Sequence, residues 1–175
     1  MRSIRFLAAI LGLLVSFNAS MASANGYFRL GGMYTFSERG RDDLSKTTRT
    51  LLDIGGGYVW TKGWTLGGLY QMDKVQSDSY TLDRTSYGPT AGWISQDSGG
   101  PYVLATYFFS SKRSDEYEGS GYQFDLGYRF PVKGIFLALQ MSYKHFAYNK
   151  ANGRELDPPY NENYLDPYIA LMFDF

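Results

Sequence analysis

The chain has 175 residues, enough for one domain, with 17 basic residues balanced by 17 acidic ones, a single histidine and no cysteine. The balance gives no net positive potential for a nucleic-acid partner, and without cysteine there is neither a disulfide framework nor a thiolate metal site. Glycine (20), tyrosine (16) and phenylalanine (12) are abundant, yet after residue 24 no apolar run approaches the roughly 20 residues of a spanning helix.

The first segment carries Arg2 and Arg5, an apolar stretch from Phe6 to Phe17, and Ala22-Ser23-Ala24. A charged start, a short apolar run and a small-x-small site read as an export signal, cleaved after Ala24. Residues 1–24 are therefore set apart as a signal peptide, and residues 25–175 are read as one domain. The loss of two arginines and no acid leaves that domain slightly acidic.

From Tyr27 to Ser37 the residues alternate, with Phe28, Leu30, Gly32, Tyr34 and Phe36 on one face and Tyr27, Arg29, Gly31, Met33 and Thr35 on the other. Period two is the geometry of a strand. A polar stretch, Glu38 to Thr48, leads to a second strand over Arg49 to Trp60, which sets Leu52, Ile54, Gly56, Tyr58 and Trp60 against Asp53, Gly55, Gly57 and Val59. Thr61-Lys62-Gly63 then makes a hairpin turn into the third strand, Trp64 to Asp73. After the polar Lys74 to Asp83 comes a fourth strand over Thr85 to Ile94, weakened by Pro89, which removes one ladder donor.

Ser95 to Gly100 is a turn, and Pro101 to Ser110 a fifth strand of ambiguous parity. Placing Tyr102, Leu104 and Phe108 outward leaves the small Val103 and Ala105 inside, and that arrangement is favoured. The sixth strand alternates Tyr122, Phe124, Leu126, Tyr128 and Phe130 with Gly121, Gln123, Asp125, Gly127 and Arg129. Pro131 to Gly134 turns into the seventh, Ile135 to Phe146. The polar Ala147 to Asn163 precedes the last, Tyr164 to Phe175.

The predicted fold is all-β: an eight-stranded antiparallel up-and-down transmembrane barrel. Its connections alternate long and short, as they do in bacterial outer membrane barrels, with short turns and both termini on the periplasmic side. Trp60, Trp64, Trp93, Tyr102, Tyr128 and Phe130 would make the inner aromatic girdle, and Phe36, Tyr70, Tyr87, Tyr122 and Tyr143 the outer one. A soluble barrel would bury its aromatic face. Here the glycine-rich face also carries the charges, which assigns it to the lumen, because a basic residue on the lipid side near the midplane costs roughly 2 to 4 kcal/mol.

The candidate sites follow from that parity. Arg29, Asp53, Asp125, Arg129 and Lys144, with Gln71, Gln140, Asp166 and Asp174, point inward and form either a paired network that plugs the lumen or the lining of a pore. At eight strands the interior is just wide enough for side chains, so the plugged form is expected. Gly55-Gly56-Gly57 opens no helix and lacks the phosphate-loop spacing. Arg39, Arg41, Lys112, Arg113, Lys150, Arg154, Glu155 and Glu162 are among the mixed charges expected on solvated outer loops, where basic groups could meet anionic lipopolysaccharide. No cofactor or metal motif is present.

The export signal, the eight strands and the ending Leu171-Met172-Phe173-Asp174-Phe175 resemble the small OmpX/OmpA-type outer membrane β-barrels. The resemblance implies that Ile169, Leu171, Phe173 and Phe175 are the signal read by the barrel assembly machinery. It also implies a monomer whose surroundings are outer membrane lipid and lipopolysaccharide. His145 is the only histidine; the lipid A deacylases carry His-x-Ser near the outer rim, whereas this chain reads His145-Phe146-Ala147. A non-enzymatic structural or surface-interaction role is expected first, a narrow channel or lateral-diffusion path for small or apolar solutes second, and lipid A modification last.

Overall fold

The computed structural model describes residues 26–38, 46–114 and 116–175. The expected signal peptide, residues 1–24, lies outside the described residues, as does the Phe36 side chain. Eight strands run in chain order: β1 (Gly26–Glu38), β2 (Lys46–Val59), β3 (Trp64–Ser77), β4 (Thr81–Ile94), β5 (Gly100–Arg113), β6 (Tyr117–Val132), β7 (Ile135–Ala151) and β8 (Arg154–Asp174). Each pairs antiparallel with the next, and β8 returns to β1 to close the barrel.

Outward side chains form an apolar belt. On β3, Trp64, Leu66, Tyr70 and Met72 are exposed before Lys74 begins the polar part. Nine residues at about 3.3 Å each, tilted by about 40°, give a belt of roughly 20 Å, close to the apolar band of a membrane barrel. On β6, Tyr122, Phe124, Leu126, Tyr128 and Phe130 are exposed over the same number of positions. Arg29, Asp53, Gln71, Asp125, Arg129 and Lys144 are buried. This is a transmembrane β-barrel with a polar interior, since no soluble barrel exposes such a belt while burying its charges.

Trp60, Trp64, Tyr128 and Phe130 are exposed at the short-turn end. Trp93 is half-buried there and donates its indole N–H to the Lys62 carbonyl at 2.9 Å. Tyr70, Tyr87, Tyr122 and Tyr143 are exposed at the opposite end of the belt.

The fifth strand is turned the other way from the expectation. Tyr102, Leu104 and Phe108 are buried, and Val103, Tyr107 and Phe109 face outward. Tyr102 is accordingly a lumen residue and not part of the inner girdle. The reason lies on the neighbouring strands: a side chain at Gly127 of β6 would begin 2.4 Å from the Tyr102 ring, and one at Gly92 of β4 would begin 3.0 Å from a Leu104 methyl. Inward glycines thus make room for large inward side chains beside them. Pro89 leaves β4 intact and sits where the β4–β5 register shifts between Tyr87 and Thr90, a bulge that accommodates its missing donor.

The segments expected as long loops are mostly strand. Lys74 to Asp83 holds only a short turn between β3 and β4, and Ala147 to Asn163 is a tall β7–β8 hairpin whose tip is Asn152-Gly153. Both tip residues have positive φ, 53° and 72°, as the two-residue turn that matches strand twist requires. At the short-turn end Lys133-Gly134 uses the same geometry, 47° and 86°.

Gly127→Val drives the valine into Tyr102 and costs about 1–3 kcal/mol of overpacking. The expected result is a lower urea midpoint for unfolding from lipid vesicles, recovered in part by adding Tyr102→Ala.

Candidate functional site

Three layers of side chains fill the lumen. Nearest the short turns, Tyr27, Val59, Ile94, Tyr102, Leu104, Ala138, Ala170 and Met172 pack as an apolar cluster with Phe136 against it. Arg129 lies over the Phe136 ring at 4.3 Å, donates to both Asp174 oxygens at 2.9 Å, and donates to the Ser95 carbonyl. Asp174 is the last residue of β8, so this pair ties the end of the chain to β6.

The middle layer is a closed polar web. Arg29 donates to Asp125 at 2.8 Å and to Gln140 at 3.2 Å, and lies 3.5 Å from Asp53. Gln71 bridges Asp53 and Gln123, each at 2.9 Å. Gln123 and Ser142 both donate to Asp125, at 2.7 and 2.6 Å, and Tyr102 donates to Gln140 at 2.7 Å. Lys144 donates to Asp166 at 3.0 Å and to the Tyr168 hydroxyl. Five of the expected lumen residues, Arg29, Asp53, Asp125, Arg129 and Lys144, therefore lie in the interior, the first three within a single web, Arg129 nearer the short turns and Lys144 toward the outer layer.

The outer layer was not expected. Arg49 grips Asp73 with two hydrogen bonds, 2.9 and 2.8 Å, and donates to Asp166 at 2.7 Å. Arg84 also pairs with Asp73 and reaches Glu162 at 3.0 Å. Arg113 pairs with Glu162 and lies over the Tyr117 ring at 4.5 Å. Arg113 and Glu162, assigned to solvated loops from the sequence, are instead partners within the extended barrel. Arg84 is sandwiched between the rings of Phe146 at 4.0 Å and Tyr164 at 4.6 Å, and Phe108 stacks on Phe146 at 5.7 Å. The inward parity of Asp73, Arg84 and Glu162 was readable in principle, since each stands an even number of positions from Gln71, Ser86 and Asp166 respectively.

Among the described residues Arg29, Arg49, Arg84, Arg113, Arg129 and Lys144 face Asp53, Asp73, Asp125, Asp166, Asp174 and Glu162, so the interior charges cancel. A lumen this occupied has the chemistry of a plug.

On the outer wall the groups are isolated. His145 Nδ1 lies 2.9 Å from Asn163 Oδ1, with its ring stacked on Tyr122 at 5.0 Å. Lys112 and Glu118 form an exposed pair at 2.8 Å, in which the ammonium holds the carboxyl below its usual range; such pairs contribute little.

Among the described residues the ladder stops short at the seam between β1 and β8. At the closing seam Gly26 and Phe175 exchange both backbone hydrogen bonds, 2.7 and 2.9 Å, and pairing continues from Tyr27 opposite Asp174 to Gly32 opposite Ile169. There it stops, although β1 runs on to Glu38 and β8 began at Arg154. In an antiparallel ladder alternate residues turn their N–H to alternate neighbours. Phe175 turns to β1, so Phe173, Leu171, Ile169 and residue 167 do too. Residue 167 is a proline, with no N–H to give. The ladder ends where its next donor is missing. Behind this break Arg49 of β2 reaches past β1 to Asp166 of β8. The expected assembly signal residues lie along the intact part: Ile169 is exposed, Phe173 lies 6.1 Å from Phe28, and Phe175 ends the ladder.

Solved structures show a distant likeness to the chain. The Yersinia pestis outer membrane protein Ail in a bilayer nanodisc is 9% identical over 87% of this chain and 100% of its own, with a TM-score of 0.48. The Pseudomonas aeruginosa outer membrane protein OprG is 10% identical over 87% and 96%, at 0.46, and the outer membrane enzyme PagL is 12% identical over 86% and 99%, at 0.47. No family model and no curated protein matches the chain.

Arg29→Met leaves Asp125 and Asp53 without their buried cation and costs about 3–5 kcal/mol. Urea unfolding from vesicles should register the loss, while Lys112→Met on the exposed pair should leave the midpoint nearly unchanged.

Proposed function

We propose that this protein is a non-enzymatic, monomeric barrel of the bacterial outer membrane, exported by residues 1–24, with termini in the periplasm and a structural or surface-interaction role. One observation carries the reading: the lumen is occupied by a neutral, mutually hydrogen-bonded set of side chains from Arg129 up to Arg113, which opposes conduction along the axis. What remains for function is the outer surface. The β7–β8 hairpin rises furthest there, and Lys74, Lys112 and Lys150 stand exposed above the apolar belt, at the level where lipopolysaccharide carries its negative charge. Ile169, Leu171, Phe173 and Phe175 present the alternating apolar ending to the barrel assembly machinery.

A second reading, a lateral path for small or apolar solutes, is favoured by the interrupted β1–β8 ladder.

Planar-bilayer recordings of the purified barrel should give no stable single-channel steps, and steps that change on Asp53→Asn would overturn the plugged reading. Deleting Phe175 should lower the amount of heat-modifiable protein in the outer membrane several-fold; normal assembly of the truncated chain would remove the assembly role.

A further inference from the structure

We infer that the β1–β8 break is a lateral slot that takes the anionic head of a single-chain amphiphile from the surrounding leaflet, with Arg49 at its back; this rests on the lateral reading above. The break begins at Gly32 and Ile169, within the apolar belt, because Ile169 and Leu165 of β8 are both exposed apolar residues that flank it. Unpaired backbone at that depth is tolerated only where it is buried in protein or lines a watery cavity. The edges Met33 to Thr35 and Leu165 to Tyr168 therefore require a polar neighbour in the gap, which an acyl chain alone does not provide. Pro167 leaves the next rung of the ladder without one of its two hydrogen bonds.

The chemistry of the two sides is different. On the lipid side stand Tyr34 and Leu165, 68% and 66% exposed, an apolar rim suited to a hydrocarbon tail. On the inner side stands the Arg49–Asp166 pair. The Arg49 side chain is 15% exposed, against 6% for Asp166 and 4% for Asp73, and its Nη1, which gives one hydrogen bond to Asp166, has a second N–H to offer. A head group in the gap would share Arg49 with Asp166 and Asp73. A planar guanidinium suits a carboxylate or phosphate head, and a rim one strand-gap wide suits a single tail.

The chain has no cysteine, so single thiols report cleanly. In lipid nanodiscs a charged, membrane-impermeant methanethiosulfonate should label Leu165→Cys at least tenfold faster than Leu126→Cys on the far wall. Equally slow labelling would overturn the lateral opening itself, and equally fast labelling would overturn the placement of the belt in lipid. For the head group, a fluorophore on Thr35→Cys should be quenched by a nitroxide-labelled fatty acid at least threefold more than by its methyl ester. Arg49→Lys should retain the preference, and the oxidised pair Tyr34→Cys with Pro167→Cys should abolish quenching. Equal quenching by acid and ester beside fast labelling of Leu165→Cys would overturn the anionic-head site while leaving the slot.

Discussion

A ring of eight strands encloses a space no wider than the side chains that line it, and most of what this protein is follows from that narrowness. Nothing inside can be left to bulk water. Each inward charge needs a fixed partner, and each large inward side chain needs a small one beside it. Tyr102 exists inside because Gly127 stands on the next strand, and Arg29 is tolerable because Asp125 and Asp53 stand across the barrel. Removing one member of a buried set is costly while the set as a whole contributes little net stability, so the interior specifies one arrangement more than it strengthens it.

The same narrowness turns function outward. With the axis occupied, solutes and partners can meet only the wall, the rim and the tall hairpin. The wall carries register shifts between β4 and β8, but its ladder is shortest at the closing seam, where seven paired positions on β1, Gly26 against Phe175 included, do the work that thirteen do between β1 and β2. Pro167 marks where that ladder stops, since that residue has no N–H to give to β1.

Much of this was legible from residue order. Alternation fixed the face of seven strands, since an aromatic set opposite Asp53, Asp125 and Arg129 admits only one side for lipid. The fifth failed because Val103, Leu104, Tyr107 and Phe108 are apolar on both faces, and the deciding glycines lie in other strands. The upper barrel failed for a different reason. Above the membrane the outward face meets water and the inward face is itself largely polar, so the apolar–polar alternation that marked Trp64 to Met72 vanishes beyond Lys74, and strand was taken for loop. One local signal survived there: Asn152-Gly153 is a strong hairpin pair, and it marks the tip of the segment read as a 17-residue loop. Arg113 and Glu162 were lost with that segment, since their pairing joins β5 to β8 and no spacing along the chain announces it.

The ion pairs of the lumen also join distant parts of the chain. Arg29 waits for a residue 96 positions later, and Arg49 for one 117 positions later. The strand that follows each supplies only part of its pairing, Asp53 beside Arg29 and Asp73 beside Arg49. A half-built ring would hold these guanidinium groups only partly paired beside lipid, which is costly, and the later strands complete the set with Asp125 and Asp166. The strand that closes the ring is thus also the one that completes its charge pairing, through Asp166 against Arg49 and Asp174 against Arg129.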